Sequence, residues 1–273
     1  MTGPPGAQRI SPAMSIEYVD TGWGLFPILP ASLIDAELRE LPTLARVDLR
    51  DKLIGPDFGD WAQLWLSEDP EEPNYDVSMW LTRIYDVWVD IRLSLAYALA
   101  CDRASKSTVP DRSAAFVASL FSKADQERLE SADLSVRGCA YYLDSAIHRF
   151  YALNEEFLQF CSAYLDLGLT EQDVRGYLVE KKIDEKLQCG DERCAFFAEQ
   201  VARLCRSPAY GDVAQARKSI THRRHPKLDE VHSEVYGNYV AKYLPKAQQL
   251  FSEVTAFLDR LLEHIDLDLG VNS

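Results

Sequence analysis

Long apolar runs are missing from this 273-residue chain. The longest, such as Leu93 to Cys101, fall far short of the roughly 20 apolar residues that a membrane-spanning helix needs. Residues 1–14 lack the cationic start and apolar middle of a secretory signal, so they predict a flexible tail. We therefore expect a cytoplasmic protein with no membrane partner.

Basic residues are also scarce. The chain carries 29 Lys and Arg against 43 Asp and Glu, a net charge of −14. This is the wrong sign for a protein that coats nucleic acid without specificity, so any contact with nucleic acid must be local. One such place exists, because residues 217–227 carry five basic side chains and no acidic one.

Several motifs of common enzymes are absent. We find no phosphate-binding glycine-rich loop, no Gly-x-Ser-x-Gly elbow and no His-Glu-x-x-His pair. Most of the six cysteines lie in helical apolar patterns, where a thiol packs as a small hydrophobe. Cys189 and Cys194 lack the second pair of a zinc site, which favours two unrelated thiols. We expect no disulfide, no metal and no cofactor.

Amphipathic helical patterns dominate what is present. Apolar residues make up 47% of the chain, enough for a sizeable core, and from residue 76 onward they recur at three- and four-residue steps. We therefore predict an all-α multi-helix bundle at 76–266. Residues 15–75 are broken by glycine and proline and predict an irregular wrapping segment around that bundle.

Individual helices can be placed from these patterns and from their start and stop signals. The sequence predicts helices at 32–41, from residue 76 through the stripe that ends at Leu95, at 113–130, at 138–167, after an N-cap at Thr170, at 192–206, at 209–224, and from Pro245 in a first turn to Ile265.

The segment 216–226 holds the main candidate site. Arg217 and His222 are separated by four residues, and five positions on a helix rotate by about 140°, so the two side chains flank one edge. Both could line a groove, whereas a tight two-ligand metal site would not fit. Candidate RNA-binding residues surround them: Lys218, Arg223, Arg224, His225 and Lys227.

This segment resembles the HEPN superfamily, whose hallmark is an arginine, four to six residues and then a histidine near the start of a late helix. The stretch from Tyr141 to Asn154, continuing to Gly168, looks like the long second-to-last core helix of one bacterial branch. The resemblance covers about residues 76–266 in architecture and a dozen positions in motif. Active members usually carry Asn, Asp or His after the arginine, where this chain has Lys218.

The resemblance implies metal-independent RNA cleavage in a cleft built by two copies of the motif, hence a homodimer. It also implies a role as a toxin or defence component, with a protein partner such as an antitoxin. The chemistry is reasonable in itself: a neutral His222 can accept a proton from a ribose 2′-hydroxyl, and Arg217 can hold the scissile phosphate.

Other interpretations stay open. A basic cluster at a helix end complements the helix dipole, so the chain could be a non-catalytic interaction or nucleic-acid-binding protein of the same fold. A metal site from His222, His225 and His232 with Asp229 or Glu230 is a weaker alternative, because the spacing fits no tetrahedral zinc pattern. His148 is interpreted as a core or boundary histidine.

Overall fold

The computed structural model describes residues 17–20, 25–44, 75–222 and 233–268. Nearly all of them are helical, which confirms the predicted all-α multi-helix bundle. The described helices are α1 (Ala31–Glu40), α2 (Tyr75–Thr108), α3 (Arg112–Ser119), α4 (Lys123–Tyr164), α5 (Gly176–Gln188), α6 (Arg193–Arg206), α7 (Pro208–His222) and α8 (Ser233–Asp268).

The segment predicted to be irregular contains two short strands and one helix. Strands β1 (Glu17–Asp20) and β2 (Leu25–Ile28) pair antiparallel, with Glu17 opposite Ile28. Helix α1 follows directly and packs against α2, within one residue of its predicted bounds. Strand β2 also lies against α4, so the described part of this segment contacts two helices of the bundle.

The predicted helix at 113–130 is wrong, because the chain breaks there into two helices. Helix α3 ends at Ser119, and α4 begins after the Ser122 side chain caps it by accepting from the Asp125 N–H at 3.3 Å. Serine is a strong N-cap because its oxygen satisfies an otherwise unpaired amide of the first turn. Helix α4 then continues for 42 residues through most of the predicted 138–167 helix.

Two other predicted helix starts are wrong. Thr170 does not cap a helix: its hydroxyl donates to Asp173 at 2.6 Å within a turn, and α5 begins at Gly176. Pro245 does not open the last helix but lies inside α8, which begins at Ser233. An interior proline removes one backbone hydrogen bond of the helix, so sequence patterns place it at a first turn by default.

The core is formed mainly by α2, α4 and α8. Trp88 of α2 stacks on Phe251 of α8 with ring centroids 5.7 Å apart, and its indole N–H donates to the Thr255 hydroxyl at 3.0 Å. Phe157 of α4 meets Phe257 of α8 edge-on at 4.8 Å. Within the described ranges, no helix combines the length and the apolar character that a membrane span requires.

Candidate functional site

Helix α7 carries the predicted Arg217 and lies between α4 and α8. Pro208 occupies its first position, where the missing N–H costs nothing, and Ser207 just before it donates to the Glu253 carboxylate of α8 at 2.5 Å. An ion pair of 2.6 Å joins Asp212 to Lys246. From the first of these contacts to the second, the residue number increases on α7 and decreases on α8. The two helices therefore run antiparallel. The inner face of α7 buries Ala209, Val213 and Ala216.

Arg217 is half-buried against α4. Its guanidinium carbon lies 3.4 Å from the ring centroid of Tyr151, a close cation–π contact. The crevice around it retains only about 10 Å³, room for about one water molecule, so the guanidinium fills it. Apolar and aromatic side chains line this crevice: Ile147, Phe150, Tyr151, Tyr210, Val213 and Ala214. Packing thus fixes the position of the cation.

His148 stands beside Arg217, one turn before Tyr151 on α4. Its side chain is exposed, which contradicts a core histidine and leaves the boundary position that the sequence also allowed. The main cause that lowers its pKa is partial burial, which penalises the charged form. The positive charge of Arg217 lowers the pKa further. Since the ordinary pKa of histidine is about 6.5, this imidazole is neutral near pH 7.

Asp144 and Tyr239 extend the site toward α8. The Tyr239 hydroxyl donates to an Asp144 carboxylate oxygen at 2.5 Å, which ties the first half of α8 to α4. Asp144, His148 and Tyr151 follow one another at steps of four and three residues, so they share one face of α4. Tyr141 continues that face and is 55% exposed. The site is therefore a polar and aromatic surface on α4, flanked by α7 and α8.

The structure places the predicted site residues unequally. Lys218 is exposed next to Arg217. His222 is the last residue of α7, about 7.5 Å along the helix axis from Arg217, but its side chain is outside the described residues. The predicted RNA-binding residues of the following segment lie outside the described ranges altogether: Arg223, Arg224, His225 and Lys227.

The direction of α7 shows where His222 lies relative to α4. Contacts from Asp144 to Tyr239 and from Phe157 to Phe257 show that α8 runs parallel to α4. Because α7 is antiparallel to α8, it is also antiparallel to α4. Beyond Arg217 it therefore leads away from Tyr151 toward the end of α4 that holds His148 and Asp144.

A second cavity lies elsewhere, lined mainly by α1 and α2 with Gln248 of α8. It measures about 420 Å³ and contains both charge signs. Its charges are already paired with one another: Arg103 Nε lies 2.7 Å from the buried Glu37, and Lys106 lies 2.6 Å from Asp102. Burial raises the pKa of Glu37, and Arg103 opposes that rise. These pairs, together with the contact of Arg103 and Glu40 at 3.3 Å, account for the charged groups of the cavity without a ligand.

Cysteine and metal chemistry find no support in the described part of the chain. Cys189 is exposed, whereas Cys194 is fully buried, and both are free thiols. Burial raises the pKa of the Cys194 thiol, which makes it a poor metal ligand. Among the residues that the structure describes, no three His, Cys, Asp or Glu side chains cluster as a metal site.

No protein-family model, curated protein or solved structure matches this chain. The geometry of the site itself is therefore what indicates the function. Sequence reasoning found Arg217 but missed His148, Tyr151 and Tyr239. A signal for two of them was present, since Asp144, His148 and Tyr151 place polar groups along one face of an otherwise apolar helix.

Proposed function

We propose that this protein is a HEPN-like, metal-independent endoribonuclease in the cytoplasm, in which Arg217 and His222 act on single-stranded RNA. The observation that carries the proposal is the Arg217 guanidinium packed 3.4 Å above Tyr151 beside the exposed His148. A fixed cation next to a neutral imidazole is what phosphodiester cleavage by proton transfer requires.

Arg217 binds the scissile phosphate. A guanidinium that stacks on a ring by its face donates hydrogen bonds through its edge, and that edge matches two phosphate oxygens. Its position is fixed by the filled crevice, so little reorganisation is needed when charge develops on the phosphate. Lys218 and the basic residues after His222 hold the flanking RNA backbone: Arg223, Arg224, His225 and Lys227.

Cleavage needs two proton transfers. One group accepts the proton of the 2′-hydroxyl as its oxygen bonds to phosphorus, and another gives a proton to the 5′-oxygen as the P–O5′ bond breaks. His222 accepts the 2′-hydroxyl proton, as the motif implies, and solvent water gives a proton to the 5′-oxygen. The lowered pKa of His148 keeps this imidazole neutral near pH 7, so it is a second proton acceptor beside Arg217. The products are a 2′,3′-cyclic phosphate and a 5′-hydroxyl.

The deciding experiment incubates purified protein with mixed single-stranded RNA in excess EDTA. Wild type should produce 2′,3′-cyclic phosphate ends, whereas Arg217→Ala and His222→Ala should each lose about 10²-fold or more of that activity. Arg203→Ala is the matched control, because this exposed arginine lies on α6 and does not line the crevice of Arg217 and Tyr151. Activity should fall below about pH 6 as imidazole becomes protonated.

Absence of cleavage by wild type, or equal cleavage by His222→Ala, would refute the proposed ribonuclease activity. The second candidate is then a non-catalytic interaction protein of the same fold, acting as a homodimer or with a protein partner such as an antitoxin. One observation favours it: four large apolar side chains around the end of α3 are exposed to solvent. A partner that binds equally well to the His222→Ala protein would support this second function.

A further inference from the structure

Helix α3 and the first turns of α4 form an arm, defined here as residues 112–131. No side chain of the arm is buried, and α3 packs chiefly against α4. An ion pair of 2.8 Å between Arg112 and Asp133 closes the base of this helical hairpin. The arm therefore contributes nothing to the core.

The apolar residues of the arm are arranged opposite to those of an ordinary surface helix. Its small residues Ala115 and Ala118 are half-buried on α3. Four of its large ones are exposed and form the arm tip: Phe116 at 59%, Val117 at 57%, Leu120 at 65% and Phe121 at 86%; Leu129 is half-buried. A helix that turns two alanines toward its neighbour and phenylalanine toward water presents an apolar face that the described fold does not cover.

The size of the arm tip suits a protein interface. A full aromatic side chain covers about 150–250 Å², so the two phenylalanines alone leave roughly 220–360 Å² exposed. Leu120 and Val117 bring the patch to the order of 500 Å², near the largest that single-chain proteins tolerate. Burying it in two copies would remove on the order of 1,000 Å² from water, the lower limit of a specific interface.

The net charge of the arm indicates which partner packs on the arm tip. The arm carries three basic residues (Arg112, Lys123, Arg128) and three acidic ones (Asp125, Glu127, Glu130), so it is neutral although the whole chain carries −14. Two copies of an acidic chain repel each other less at a neutral surface than at their acidic ones. A neutral arm on an acidic chain also gains nothing from an anionic lipid surface.

We propose that the arm tip is a self-association surface on which a second copy of this chain packs its own arm. The two hairpins then form a four-helix contact with Phe116, Val117, Leu120 and Phe121 at its centre. Each copy presents the same patch, as a two-fold interface requires, and the mixed charges at its edge can oppose those of the partner arm. This inference goes beyond the proposed function, because the start of α4 lies about 42 Å along the helix from Tyr151.

The test measures the mass of the full chain by sedimentation equilibrium across the micromolar range. Wild type should reach twice 30.9 kDa, and the double variant Phe116→Ser, Phe121→Ser should raise the dissociation constant at least about tenfold. Tyr177→Ser on α5 is the matched control, since this side chain is 68% exposed but far from the arm, and it should leave the mass unchanged. Unchanged circular dichroism should show that each variant is folded.

A second measurement covers the case in which the variants disturb the arm. In a Cys189→Ser background, Phe121→Cys should give cross-linked dimers with a short bifunctional maleimide, and Tyr177→Cys should not. Wild type that stays at 30.9 kDa, or a dimer that survives both serine substitutions, overturns the proposal. A monomeric chain that binds phosphatidylcholine vesicles through the arm would also overturn the proposal, and would indicate that the arm tip contacts a lipid surface.

Discussion

Arg217 and His148 are 69 positions apart in the sequence, and only the packing of α7 on α4 brings the two side chains together. Sequence spacing could suggest the Arg217 and His222 pair because both lie on one helix. It could not suggest His148, because the distance between two helices depends on tertiary contacts such as Arg217 on Tyr151. The local polar pattern of α4 was visible, but its partner across the groove was not.

The lowered pKa of His148 gives a prediction at the scale of one residue. Arg217→Gln should raise the pKa of His148 toward its ordinary value, because removing a nearby cation removes part of the penalty on protonation. Arg217→Lys should raise it less, since the charge is kept. The pKa is measured by following the imidazole C–H resonances of His148 with pH.

Arg149→Gln provides the control for this titration. Arg149 is the neighbour of His148 in the sequence, but its guanidinium Nε lies 3.0 Å from Asp90 and its charge is not a cause of the lowered pKa. A His148 pKa that rises equally in both glutamine variants would show that Arg217 has no specific effect on this imidazole.

At the scale of elements, periodicity located most of the helices but not the break between α3 and α4. An apolar repeat looks the same in a sequence whether its face meets the core or a partner, so Phe116 to Phe121 gave no reason to end a helix. The break comes from local chemistry: Ser122 caps α4, and Asp111 caps α3 by accepting from the Ala114 N–H at 3.0 Å. Cap residues are common in loops, so they carry weight only beside a known helix end.

The Ser122 cap yields a prediction for α4. Ser122→Ala should weaken the first turn by about 1 kcal/mol, because the Asp125 amide loses its acceptor. Hydrogen exchange at that amide should then become roughly fivefold faster, while exchange in the middle of α4 stays unchanged. Ser113→Ala on the exposed side of α3 is the control and should not alter exchange at Asp125. Equal rates in wild type and Ser122→Ala would show that the cap does not stabilise the turn.

At the scale of the whole molecule, apolar periodicity predicted an all-α bundle correctly, and the structure adds how its parts are divided. Helices α2, α4 and α8 hold the core, α7 brings Arg217 to α4, and the arm extends α4 beyond the core. The helical class follows from repeated three- and four-residue spacing, which is a local property. The position of the arm could not be predicted, because the exposure of residues 112–131 depends on how the other helices pack, and packing is not a local property of the sequence.

The neutral arm on an acidic chain makes dissolved salt a means of separating the two proposals. Ions screen the repulsion between two chains of −14, so self-association through the arm tip should tighten as sodium chloride rises from 50 to 500 mM. RNA bound by Arg217 and the basic segment should instead weaken, since phosphate contacts release counterions on binding. Sedimentation and RNA-binding titrations over the same salt series should therefore show opposite slopes. If self-association and RNA binding changed in the same direction with salt, the arm tip and the RNA site would not be independent surfaces. We expect independence because the 42-residue helix α4 separates them.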